Sequence, residues 1–168
     1  MTVVYIPDGT LIEVDPYIPP PLTVWQRLRR KPEPQVIDTP THVRAFGCLD
    51  PGYSFPTGPV DPEVLKVLEF SLEHCHLWGL RCYRASPFGC PRSEKHLGGC
   101  KYVYEGGTRQ LGSSCLVVLD EEGQVWAAPN LVVHYVRDIH YVLPFTPLPP
   151  TRDLVENLER RHMERNLI

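Results

Sequence analysis

Two short runs of β-branched and aromatic residues open the chain, Thr2–Ile6 and Thr10–Val14, with Pro7-Asp8-Gly9 between them. That pattern predicts a β-hairpin in which Gly9 is free to take positive φ. An isolated hairpin is marginal in water, so this one is expected to pack on a larger sheet or on a partner. Asp15-Pro16-Tyr17-Ile18-Pro19-Pro20-Pro21 then imposes an extended path, because proline fixes its own φ and restricts the residue before it. Thr23 can cap a short helix over 24–30 with Val24, Trp25 and Leu28 on its apolar side. Arg27, Arg29, Arg30 and Lys31 stand at its C-terminal end, where cations suit the helix dipole. Further prolines between Lys31 and Thr41 mark a linker or a strap.

The pattern of a compact body begins at His42. His42–Leu49 reads as a strand and is followed by a Gly/Pro-rich loop through Pro59. Asp61 before Pro62 is a helix start, a capping carboxylate followed by proline at the first helical position. Val64, Leu65, Leu68, Leu72 and Cys75 recur at helical spacing and predict an amphipathic helix from Pro62 to about His74. Leu77–Tyr83 reads as a strand, Arg84–Gly99 as a loop, and Lys101–Glu105 and Leu111–Leu119 as strands. A turn at Glu121–Gln124 leads into a strand over Val125–Ala128, and Pro129 opens a helix from Asn130 to about Ile139. Prolines from Pro144 to Pro150 close the body, and Thr151 caps a last helix with Leu154, Val155 and Leu158 on one side. The expected fold is α+β: a small mixed, mainly antiparallel sheet with two to four helices, an N-terminal hairpin and a Pro-rich arm. The expected organisation is 1–41 for the hairpin, short helix and strap, 42–144 for the body, and 145–168 for the C-terminal helix.

Composition narrows the class without naming an activity. A chain of 168 residues with 42% hydrophobic and 22% charged residues is an ordinary globular protein, long enough to bury a core. No apolar run approaches the roughly 20 residues that span a bilayer, so membrane insertion is not expected. The N-terminus shows neither a basic region nor a long apolar stretch, and a cytoplasmic location is expected. Seventeen basic against twenty acidic side chains argue against a general nucleic-acid binder, which needs surplus cations to displace counterions.

Two motifs carry a resemblance. Phe55-Pro56-Thr57-Gly58-Pro59-Val60 precedes the first body helix, and Trp126-Ala127-Ala128-Pro129-Asn130-Leu131-Val132-Val133-His134-Tyr135-Val136 lies near the end of the body. From His42 to about Pro144 the chain resembles a family of small, uncharacterised bacterial proteins with a similar F-P-T-G-x-V segment and a Y-x-A-P-x-L-I-x-H-Y-V helix. The family also carries a tight C-x-x-C loop, whereas Cys82 and Cys90 here lie farther apart. Its histidine after the helix falls at Ile139, with His140 next to it. The resemblance implies a fold unit and no particular activity.

The candidate chemistry lies in the cysteines and histidines. Four of the six cysteines fall between 75 and 100, interleaved with His74, His76 and His96. Cys82, Cys90, His96 and Cys100 form the best quartet for a structural zinc ion, with His76 as a substitute, since zinc takes four thiolate or imidazole ligands in a tetrahedron. Buried thiols and disulfides are the competing readings. His134 lies on an apolar helix face, where a histidine is more often a satisfied core or capping residue than a ligand. A loop cysteine within reach of it would make a Cys/His nucleophilic pair. His42 and Cys48, placed on one strand face, would make a second. His140 and Tyr141 follow the helix. Phosphate loops, dinucleotide fingerprints and common hydrolase motifs are missing.

The chain therefore reads as a protein-interaction protein sooner than an enzyme. An immunity or inhibitor protein that neutralises a toxin, or an accessory subunit of an assembly, would use residues 1–31 and 151–168 to hold another protein. The alternative is a Cys/His- or metal-dependent hydrolase.

Overall fold

A computed structural model gives the fold and describes residues 6–13, 42–74, 86–89 and 100–157. Among the described residues, six strands and two complete helices follow in the order β1 (Leu11–Glu13), β2 (His42–Ala45), α1 (Pro62–His74), β3 (Lys101–Tyr104), β4 (Gly107–Gln110), β5 (Cys115–Leu119), β6 (Val125–Pro129) and α2 (Val132–Asp138). A third helix, α3, occupies 152–157 of the described residues. Strand order in the four-stranded sheet is β1-β2-β6-β5, and β3 and β4 form a separate two-stranded ribbon. β1 runs antiparallel to β2 with Leu11 opposite Arg44. The β2–β6 pair is parallel, with Arg44 beside Trp126, while β5 and β6 are antiparallel from Cys115/Pro129 to Leu119/Val125. The α+β expectation holds.

Strand alternation explains the core. Leu116, Val118, Trp126 and Ala128 share one face and join Phe46, Leu68 and Leu72 of α1, and Val132, Val133 and Val136 of α2. Val117 points the other way and meets Val125, Leu154 and Val155. The sheet is thus covered on both sides at β5, and Cys115-Leu-Val-Val-Leu119 reads as an unbroken apolar run for that reason.

The element ends follow local chemistry. Asp61 accepts the Glu63 N–H at 2.9 Å and caps α1, and Thr151 Oγ1 accepts the Leu154 N–H at 3.3 Å at the start of α3. The turn at 7–10 is present as expected: Gly9 has φ +84°, and Thr10 N–H donates to Pro7 O at 3.2 Å.

Three expectations shift. β2 ends at Ala45 instead of running to Leu49. Pro129 is the last residue of β6, and α2 begins at Val132, because Asn130 spends its side chain on a neighbouring loop. The long strand expected at 111–119 is only its second half; the exposed Gly-Thr-Arg-Gln of β4 pairs back onto β3 just before it. The first hairpin strand except Ile6, the helix at 24–30, the strap, the strand at 77–83 and the chain beyond 157 lie outside the described residues. Among the described residues, no helix is long and apolar enough to cross a membrane.

Candidate functional site

The first sequence motif meets the turn that follows the second. Gly58 N–H donates to His140 O and Val142 N–H to Pro56 O, each at 3.0 Å, around an antiparallel bridge between Thr57 and Tyr141. A Cβ on Gly58 would lie 3.0 Å from Val142 Cγ2, so the close approach favours glycine there. α2 ends with two amides, those of Ile139 and Tyr141, on the single carbonyl of Tyr135. The turn between them puts His140 at φ +60°, where it is the one non-glycine residue at positive φ among the described residues. A side chain in that region costs about 1–2 kcal/mol. His140 is exposed.

Tyr141 turns inward from this junction and is almost completely buried. Its O–H donates to Asp8 Oδ2 at 2.6 Å, and Gly47 N–H donates to Asp8 Oδ1 at 3.0 Å. Burial first, then the charge and hydrogen bond of Asp8, push the Tyr141 hydroxyl far above the ordinary phenol range. Tyr141 is therefore a fixed donor that ties the N-terminal turn to the body. Gly47 sits at φ +64° beside α2, where a Cβ would stand 2.5 Å from Val132 Cγ2. Cys48 follows that bend and is buried. β2 has ended at Ala45 before the chain reaches Cys48.

The long motif acts as a hub. Trp126 Nε1 donates to Asp120 Oδ2 at 2.8 Å, while Asp120 Oδ1 accepts from Glu122 and Gln124 in the β5–β6 turn. Burial alone would raise the Asp120 carboxyl. The hydrogen bonds from Trp126, Gln124 and Glu122 and the charge of Arg44 outweigh it and hold the group below its usual value. Asn130 accepts the Gly112 N–H at 2.6 Å and donates to Ser114 Oγ at 3.1 Å, pinning the loop before β5.

His134, 1% exposed, has Nδ1 2.6 Å from Asp138 Oδ2 and Nε2 3.2 Å from Gly89 O. It is a core histidine, as its apolar face suggests, with an oxygen at each ring nitrogen. Burial works to raise the Asp138 carboxyl, but hydrogen bonds and charge from Arg137 and His134 prevail and lower it. Arg137 also lies over the Tyr102 ring, 3.9 Å from its centroid.

A second polar seam joins α1 to the ribbon. Tyr102 O–H donates to Glu69 Oε1 at 2.6 Å and Tyr104 O–H to Glu73 Oε1 at 2.7 Å. Carboxylates four apart on α1 thus meet phenols two apart on β3, a match of helical and strand periods.

Of the zinc quartet, Cys82, Cys90 and His96 lie outside the described residues, as does the substitute His76. Cys100 is buried in the main core with Tyr102 and Leu111, and its carbonyl accepts the Leu111 N–H at 2.8 Å. Among the described residues, no three His, Cys, Asp or Glu side chains gather as a metal centre requires. In the sequence Asp8 reads only as a turn residue, Asn130 only as a helix start, and Asp138 carries no reading of its own. For Asp138 a signal existed, the i, i+4 spacing from His134 on one helix. Asp8 and Asn130 act across more distant parts of the fold, and no local spacing marks them.

Fold and junction together define a small α+β domain in which motif polar groups tie surrounding turns to a central sheet. The chain belongs to a family described as a domain of unknown function, DUF7919, whose profile matches residues 5–151. No curated protein and no solved structure matches it.

Proposed function

We propose that this chain is a non-enzymatic bacterial interaction protein of the cytoplasm, of the immunity or inhibitor type or an accessory subunit of an assembly. The observation that supports this reading is Leu11. Among the described residues its strand, part of the N-terminal arm, is the edge strand of the sheet, and Leu11 is 61% exposed. An apolar side chain held open on an ordered edge strand offers a partner both main-chain and side-chain contacts. The experiment is co-purification from the native host. A neutralising protein is expected to bring down one partner at equal stoichiometry, and Leu11→Glu to abolish that capture while the fold survives. Recovery as a lone monomer from both preparations would defeat the reading.

A structural zinc ion on Cys82, Cys90, His96 and Cys100 is part of the proposal, because three thiols and an imidazole are a donor set zinc prefers. Elemental analysis of protein purified without added metal decides it, and less than about 0.2 zinc per chain would remove the site.

A second reading, a Cys/His-dependent hydrolase, draws on the His134–Asp138 pair, since a carboxylate on one ring nitrogen orients an imidazole as a base. Alkylation at neutral pH separates the readings: a single hyper-reactive cysteine favours the hydrolase, uniform inertness the interaction protein.

A further inference from the structure

Among the described residues, the ring nitrogens of His134 face two oxygens and no hydrogen-bond donor. Asp138 Oδ2 stands 2.6 Å from Nδ1, and the Gly89 carbonyl 3.2 Å from Nε2. A neutral imidazole has one N–H, so it can serve only one of these acceptors and sets a lone pair against the other. A protonated Asp138 would relieve the conflict, but Arg137 grips the same carboxylate, with Nε 3.2 Å from Oδ1. With the ring sealed from solvent, no water replaces the contact that is lost.

We propose that the folded protein carries His134 as imidazolium, with one N–H donated to Asp138 and the other to Gly89, and that this second proton ties the turn at 86–89 to α2. The short distance to Asp138 fits a charge-assisted bond. Among the described residues, the charged and titratable groups around the pair include Arg137 and Tyr135 on α2, Tyr102 on β3 beneath the Arg137 guanidinium, and Glu69 on α1, which holds the Tyr102 hydroxyl. Phe88 of the same turn packs edge-on against Tyr135, with ring centroids 5.6 Å apart. Loss of the second proton therefore loosens an aromatic contact as well as a hydrogen bond. The fold thus contains a proton-dependent fastening for the segment that leads into Cys90.

Nitrogen-detected NMR of the intact protein with labelled histidine tests this, the His134 signals being assigned through bonds in the unaltered chain. Two protected ring N–H groups are expected at neutral pH. One ring N–H with an unprotonated Nε2 would overturn the proposal and is also what a base poised for catalysis would show. A second arm measures amide exchange at Phe88 and Gly89 while pH is raised. Exchange, corrected for its intrinsic pH dependence, is expected to quicken roughly tenfold or more as the second ring proton leaves, in proportion to a lost charged hydrogen bond. The Asp138→Asn variant is expected to show one ring N–H and that faster exchange already at neutral pH. Unchanged protection in the native chain across the loss of that proton would also overturn the proposal.

Discussion

Gly47 and Gly123 separate backbone strain from packing at the scale of one residue. Both lie at positive φ, +64° and +78°, but a Cβ meets Val132 at the first and open space at the second. Gly123→Ala is expected to cost about 1 kcal/mol from the left-handed backbone alone. Gly47→Ala adds overpacking against α2, for a total of about 3 kcal/mol. Urea midpoints of the two variants check the difference, and equal losses would mean that Val132 yields freely. The carboxylates Asp120 and Asp138 set the acid limit. Both are held below their usual value in the folded chain, so the stability they confer is complete above about pH 4 and drains away as pH falls through their folded-state values. Denaturation midpoints between roughly pH 6 and pH 2 are expected to decline mainly below pH 4, and less steeply in Asp120→Asn.

Elements cohere through matched periods, and their legibility in the sequence follows from that. α1 was readable to its ends because both its signals are local: an Asp-Pro start, and apolar residues that return to one side. β5 and β6 were readable as apolar runs bounded by a turn. β4 was not, since a four-residue polar strand exposed throughout its length has no burial pattern to betray it; only its pairing with β3 makes it a strand. The α2 start was misplaced for a similar reason. Pro129 reads as a helix opener, but it closes β6, and Gly112 and Ser114, brought close by the β5–β6 pairing, claim the Asn130 side chain.

The Tyr–Glu seam between α1 and β3 makes its own prediction. Burial above all, then Glu69, raises the Tyr102 hydroxyl far beyond the usual phenol value, as burial and Asp8 do for Tyr141. These groups favour the neutral form in the folded state, so their stabilisation is full below about pH 10 and is lost as pH climbs past it. Tyrosinate absorbance is expected in two stages, exposed tyrosines first and these two only with unfolding. Tyr102→Phe is expected to cost about 1.5 kcal/mol by depriving Glu69 of its donor. A single smooth titration of all the tyrosines in the folded protein would contradict the seam.

For the whole molecule, the question is how an N-terminal turn comes to depend on residues more than a hundred positions away. Asp8 binds the Gly47 amide and the Tyr141 hydroxyl at once. Tyr141 is in turn bridged to Thr57, whose neighbours bond to His140 and Val142. Four stretches of sequence, around Asp8, Gly47, Thr57 and Tyr141, therefore share one fastening, and the aspartate at its centre reads in the sequence only as a turn residue. Removing that carboxylate leaves a buried phenol and an amide without their acceptor, a loss of about 2–3 kcal/mol. If the fastening is shared, Asp8→Ala raises amide exchange together in β1, around Gly47 and across the 56–58/140–142 bridge, while the β3–β4 ribbon keeps its protection. Hydrogen exchange read by mass spectrometry distinguishes that pattern from loosening confined to the N-terminal turn, which would mean that the junction stands without the arm.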